Sequence, residues 1–242
     1  MANELIGIYL SPSNQTANKY AYGNTNEAVV CRKIANATEA ALNRCKVFRV
    51  YNNQTDSMEA RCRESDKLKV KLHIPIHTNA ISDKKIAGTI IFCWDKKGEG
   101  YKVSKAIFKY LSIITPGKSA EYIKEDRTLY EVRVPAAPTA YLECGFHSNT
   151  EEAKWIIENV EAIGEAIAHG ICDYCGVEYV PPVVEPAPVV RIELGEYGTI
   201  KEADAVMGDI NSTISSLEAA LADAKTYAEK LKATIKSAKV VS

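Results

Sequence analysis

Short apolar runs alternate with helix-length amphipathic stretches from about residue 5 to residue 175, and this alternation constrains the fold more than any other feature. Residues 5–11, 47–51, 70–77 and 86–94 are rich in β-branched and aromatic side chains, the composition of strands. Shorter strands are expected at 129–132 and 139–144. Between them, helices are expected from a cap at Asn24 or Thr25 to about Arg44, then over 56–68, 101–114 and 151–172. In the second of these, Arg61, Arg63, Lys67 and Lys69 read as a solvated face. Strands and helices that alternate at these lengths predict an α/β sheet covered on both faces.

The pattern changes after residue 178. Residues 180–190 are Pro-rich, a semi-rigid spacer that cannot continue a sheet or helix. Beyond it, Ile200, Ala203, Met207, Ile210, Ile214, Leu217, Leu221, Ala224, Ala228, Leu231, Ile235 and Ala238 keep 3-4 spacing, a heptad seam. A single helix cannot bury such a seam against itself. Self-association as a coiled coil, giving a homo-oligomer, is the expected use, with a helical hairpin broken near Asn211-Ser212-Thr213 as the alternative. The expected organisation is a domain over 1–178, a linker over 179–198 and an all-α segment over 199–242.

Charge and cysteine content exclude several roles. With 30 Lys+Arg against 31 Asp+Glu the chain has no field to attract nucleic acid or an anionic membrane. No apolar run reaches the ~20 residues of a membrane span. The first ten residues lack the pattern of a signal peptide, so the chain is expected in the cytoplasm until something releases it. Seven cysteines in a long, core-rich chain favour reduced thiols, and Cys172 and Cys175 read as two ordinary thiols rather than a redox pair.

Chemistry concentrates at predicted strand ends. His77 and His147 both stand there, and ligands in open α/β sheets bind outside the carboxyl ends of strands. Glu143 lies inside an otherwise apolar strand, where an unpaired carboxylate is costly. The residues alone allow a His/Glu metal site or a set of satisfied buried polar groups. His73 is four strand residues from His77, about 13 Å away, too far to share one metal. His169 lies mid-helix, in a structural or exposed position.

The segments Ile8-Tyr-Leu-Ser-Pro-Ser-Asn-Gln15, Gly23-Asn-Thr-Asn-Glu27, Ile76-His-Thr-Asn-Ala80 and Leu142-Glu-Cys-Gly-Phe-His-Ser-Asn149 resemble the ordered landmarks of the amidase-3 family of zinc-dependent N-acetylmuramoyl-L-alanine amidases. So does Glu152-Ala-Lys-Trp-Ile-Ile, and the match runs over about residues 5–175. The resemblance implies a twisted, mostly parallel six-stranded sheet with helices on both faces, zinc as cofactor and peptidoglycan as substrate. It assigns Glu27 and His77 as zinc ligands and Glu143 as the catalytic glutamate. The place of the family's first histidine falls on Asn14, a poor zinc ligand beside an imidazole. His147 is the expected replacement, with Gln15 or Asn14 next. The implied reaction is hydrolysis of the bond between N-acetylmuramic acid and L-alanine, in an endolysin-like, wall-lysing role. A fold decayed into a peptidoglycan-binding module is the rival reading. A metallopeptidase finds no HExxH pair here.

Overall fold

The computed structural model describes residues 5–183 and 200–238. The chain divides into two compact units, Met1–Pro182 and Val183–Ser242. The expected linker falls mostly outside the described residues.

The first unit is built on six strands: β1 (Ile6–Pro12), β2 (Phe48–Asn52), β3 (Leu72–Asn79), β4 (Ile90–Cys93), β5 (Tyr122–Glu125) and β6 (Tyr141–Phe146). They form one sheet in the order β2-β1-β3-β6-β4-β5. All neighbours are parallel except β4 and β6. Helices α1 (Glu27–Arg44), α2 (Met58–Leu68), α3 (Glu99–Ile114), α4 (Tyr130–Arg133), α5 (Thr150–Glu158) and α6 (Val160–Cys175) complete it. This is the expected α/β architecture, a mixed, mostly parallel six-stranded sheet with helices.

Alternation along each strand gives the sheet two unlike faces. Ile8, Leu10, Leu72, Ile74, Ile76, Leu142 and Cys144 join one apolar core with Ile34, Ile107, Ile156, Ile163 and Ile167 from α1, α3, α5 and α6. Tyr9, Ser11, His73, His77, Tyr141 and Glu143 occupy the intervening positions. This second face is covered by α2 and α4, where Tyr9 donates to Glu64 at 2.6 Å and Ser11 donates to Glu131. A polar layer thus lies beneath one side of the sheet, and the chemistry sits in it.

Helix α1 starts one or two residues later than the cap at Asn24 or Thr25 that the sequence indicates. Asn26, in extended backbone, caps it by accepting from the Val29 N–H at 3.2 Å, while Asn24 takes φ 45° in the preceding turn. The cap fixes where Glu27 enters the first turn. Asn26→Ala is therefore expected to cost about 1 kcal/mol and to loosen the first turn of α1, read as a lower urea midpoint.

Three other expectations are corrected. Residues 129–132 are not a strand: Asp126 accepts from the N–H groups of Thr128 and Leu129 and turns the chain into α4. The strand in this region is β5, an edge strand paired only with β4, whose Tyr-Ile-Lys-Glu sequence carries little apolar pattern. The long helix over 151–172 breaks at Asn159, which ends α5 and starts α6. Arg61 is not on a solvated face. It is 1% exposed, and its Nη1 donates to the Pro12 carbonyl.

In the second unit, α7 (Ile200–Ala238) is one continuous helix, so the hairpin break near residues 211–213 does not occur. Met207, Ile214, Leu217 and Leu221 on its seam are exposed. No helix among the described residues is long and apolar enough to cross a membrane. All seven cysteines are free.

Candidate active site

Strands β1, β3 and β6 run parallel and side by side, so their carboxyl ends open onto one region. His77 near the end of β3 is in register with Glu143 on β6. Just beyond this pair β6 carries one residue more than β3, a bulge that Gly145 permits by adopting φ 150°. Bulges of this kind re-aim the side chains around them. The loop after β1 folds back over the opening, with the Glu27 N–H donating to Asn18 O and the Ala21 N–H to His147 O.

Glu27 and His77, assigned together by resemblance, are in contact. His77 Nδ1 lies 2.8 Å from Glu27 Oε1, and both residues are buried. The other Glu27 oxygen accepts from Asn18 Nδ2 at 2.6 Å. That same amide nitrogen donates to Gln15 Oε1 at 2.9 Å, which sets the Gln15 oxygen beside the Glu27 carboxylate. The Tyr141 ring stacks on the His77 imidazole with centroids 4.5 Å apart and holds its plane.

The far side of the imidazole meets a residue the sequence reading did not single out. His77 Nε2 is 3.6 Å from Glu131 Oε2, and His73 Nε2 is 3.3 Å from Glu131 Oε1. Ser11 donates to the same Oε1. A carboxylate on α4 therefore spans the two histidines, which by themselves are too far apart to meet. The signal for it was faint: His73 and His77 share a strand face, and a buried imidazole pair needs an acceptor between them.

Charge in this cluster is mutually adjusted. Burial disfavours the His77 imidazolium, but the Glu131 carboxylate 3.6 Å away and the hydrogen bond to Glu27 outweigh it and hold His77 at about 9. Burial raises Glu131, yet the hydrogen bond from His73 and the nearby His77 imidazole keep it well below the ordinary carboxylate range. Glu27 is likewise raised by burial and lowered further by His77 and Asn18, with a net shift down. Glu143 differs. Its Oε2 is buried without a hydrogen-bond partner, and burial pushes the group up to about 8.

His147 does not join this group. Its Nδ1 shares a 3.0 Å hydrogen bond with Thr78 Oγ1, which is also bonded to the Tyr20 hydroxyl. The Tyr20 ring stacks on it at 5.0 Å, and burial lowers its pKa. Asn14 is exposed. Asn79 accepts from the Ala80 N–H at 2.8 Å, so it caps its own turn. His169 is structural, stacked between Tyr110 at 3.8 Å and Tyr179 at 4.2 Å.

Glu27 and His77 present an oxygen and a ring nitrogen at one opening, and three carboxylates, Glu27, Glu131 and Glu143, share a small buried volume with one imidazole ring in contact with two of them. Such a surplus of buried negative charge fits a cation.

The family model for N-acetylmuramoyl-L-alanine amidases of the amidase-3 type matches residues 8–173. No curated protein matches the chain. Among solved structures, the catalytic domain of the amidase CwlV from Bacillus (Paenibacillus) polymyxa var. colistinus shares 17% identity at a TM-score of 0.64, over 72% of this chain and 100% of that one. The amidase AmiC2 of Nostoc punctiforme shares 19% at 0.63, over 71% and 97%. The catalytic domain of the CD27L endolysin targeting Clostridia difficile shares 18% at 0.56, over 70% and 97%. These likenesses carry the fold, and the family match carries the assignment. With the family model matching residues 8–173, well over half of the sequence, the chain belongs to the amidase-3 family of N-acetylmuramoyl-L-alanine amidases.

Proposed function

We propose that this chain hydrolyses the amide bond between N-acetylmuramic acid and L-alanine in peptidoglycan, using zinc at Glu27 and His77 and Glu143 as general base and acid. The observation that carries this reading is the Glu143 carboxylate, which lies in register with His77 and has an oxygen with no partner of its own. An unpaired buried carboxylate beside a metal-type donor pair is costly to the fold and useful to a hydrolase.

A zinc ion bound there supplies Lewis acidity and lowers the pKa of a bound water towards ~7. The protein's own groups do the rest. Glu27 and His77 hold the cation, Tyr141 fixes the imidazole plane, and Glu131 faces the ring nitrogen turned away from the site. Glu143 accepts a proton from the attacking water on its unpartnered oxygen and returns it to the departing L-alanine nitrogen. For the remaining donor, Gln15 is favoured over His147 and Asn14, because its oxygen already shares the Asn18 amide with Glu27.

The test is elemental analysis of zinc per chain beside assay of L-alanine amino ends freed from purified peptidoglycan. The expected result is zinc at the Glu27 site, release of new amino ends, and loss of that release on chelation. Release that persists after exhaustive chelation would falsify the zinc reading. Binding of peptidoglycan with no release under any metal would instead identify a decayed binding module.

In the cell we place this activity with endolysins, acting on the wall after release from the cytoplasm, a role supported by the fold shared with the CD27L catalytic domain. The exposed α7 seam supports self-association, which would bring several catalytic units to one insoluble polymer. Light scattering is expected to give an oligomer for the intact chain and a monomer for a truncation ending at Pro182. A monomeric intact chain rules this out.

A further inference from the structure

The face of the sheet beneath α2 lacks an apolar layer. No residue of α2 or α4 belongs to the main core cluster. The buried residues of α2 are Arg61, Cys62 and Ser65, and those of α4 are Glu131 and Val132. Hydrophobic burial therefore does little to hold these two helices down. Buried atoms without a hydrogen-bond partner also gather here: Arg61 Nε, Ser65 Oγ, His73 Nδ1 and Glu131 Oε2. Native proteins keep such atoms few, and a cluster of them calls for an account.

Cys62, His73 and Glu131 each place one metal-type donor atom so that all three lie within 4.8 Å of one another, and all three residues are buried. The His73 Nε2 to Glu131 Oε1 separation is 3.3 Å. This is long for a charge-assisted hydrogen bond, which runs about 2.7–2.9 Å. It equals the edge of a tetrahedron whose metal–nitrogen and metal–oxygen bonds are about 2.0–2.1 Å. The three donors come from three separate elements, α2, β3 and the distant α4.

We propose that Cys62, His73 and Glu131 form a second, structural metal site for a zinc-like divalent cation, which fastens α2 and α4 to the sheet. Thiolate, imidazole and carboxylate together suit zinc rather than magnesium or calcium. The Cys62 thiol loses its proton to solvent when the ion binds, as a thiolate ligand must. Ser11, bonded to the same Glu131 oxygen, offers a neutral oxygen for the fourth position. Glu131 would then serve two centres, binding this ion through Oε1 while Oε2 faces His77. The site stands independently of the zinc proposed at Glu27 and His77, which contains no sulfur.

That difference in ligand chemistry provides the test. Cobalt-substituted full-length protein is expected to show a near-ultraviolet thiolate-to-cobalt absorption that Cys62→Ser removes and Glu27→Gln leaves in place. Metal content should fall from two ions per chain to one in each variant. Zinc-edge X-ray absorption on the unaltered protein needs no variant and is expected to show a sulfur neighbour at about 2.3 Å. No sulfur neighbour overturns the proposal, even if one zinc per chain is found. An absorption unchanged in Cys62→Ser overturns it as well, since the thiolate would then belong to another cysteine. One zinc with a sulfur neighbour supports this site while the Glu27 site fails.

Discussion

Glu143→Gln is expected to lower release of amino ends from peptidoglycan by at least about 100-fold, the lower end of what a positioned general base contributes, with the fold unchanged. The substitution is nearly isosteric, and Glu143 Oε2 makes no hydrogen bond that the amide would lose. Folding should improve. In metal-free protein Glu143 titrates at about 8, against 4.5 for the free group, because burial disfavours its charged form. Below about pH 4.5 the carboxyl is protonated in both folded and unfolded chains and has no effect on stability. As pH rises from there to about 8 the unfolded chain ionises and the folded chain does not, so stability falls, by an amount on the order of a few kcal/mol. The Gln variant has nothing to titrate and should lose this slope. Urea midpoints of the metal-free proteins at pH 5 and pH 8 measure it. Retained hydrolysis, or an equal pH slope in both proteins, would remove Glu143 from the role given to it.

The second large effect concerns the scaffold. Where α6 crosses α3, a Cβ on Gly170 would stand 2.4 Å from Ile107 Cα, 2.7 Å from its nitrogen and 2.8 Å from the Ala106 carbonyl oxygen. These are backbone atoms of a packed helix and cannot rotate away. Gly170→Ala gains about 1 kcal/mol of intrinsic helix propensity, but separating the helices costs about 1–3 kcal/mol or more. The net expectation is destabilisation, larger for Gly170→Val. At roughly 2–4 °C per kcal/mol for a domain of this size, calorimetry resolves it. Gly208 on α7 is the control, because a Cβ there meets nothing within 4 Å. Gly208→Ala should leave the melting of the first unit unmoved. Equal melting of Gly170→Ala and the parent would mean that α3 and α6 are less closely packed than described.

Both predictions rest on the same division of the sheet. One face is a conventional apolar core in which a methyl group is felt. The other is polar, and Glu143 is buried there with one oxygen unpartnered. Glu143 belongs to an apolar strand with only one side turned to the chemistry, so its neutral replacement spares the core.

The sequence by itself determined the order of strands and helices through β1, α1, β2, α2, β3, β4 and α3, because each has a clear period or a clear stop. It also marked His77, His147 and Glu143, since a carboxylate in an apolar strand and a histidine at a strand end are locally anomalous, while Glu27 entered only through the family resemblance. What it could not determine depends on contacts between distant segments. Residues 129–132 have strand-like composition, but Asp126 turns them into a short helix and places Glu131 on two histidines more than fifty residues away. Arg61 reads as one more surface cation until the end of β1 supplies Pro12 O as its buried partner. His147 stands at the right strand end, yet Thr78 and Tyr20 hold its ring. A strand's period fixes which face a residue takes. Only the packing of the other elements fixes what it meets there, because hydrogen-bond partners of buried polar groups are chosen by proximity in space, for which local sequence carries no signal.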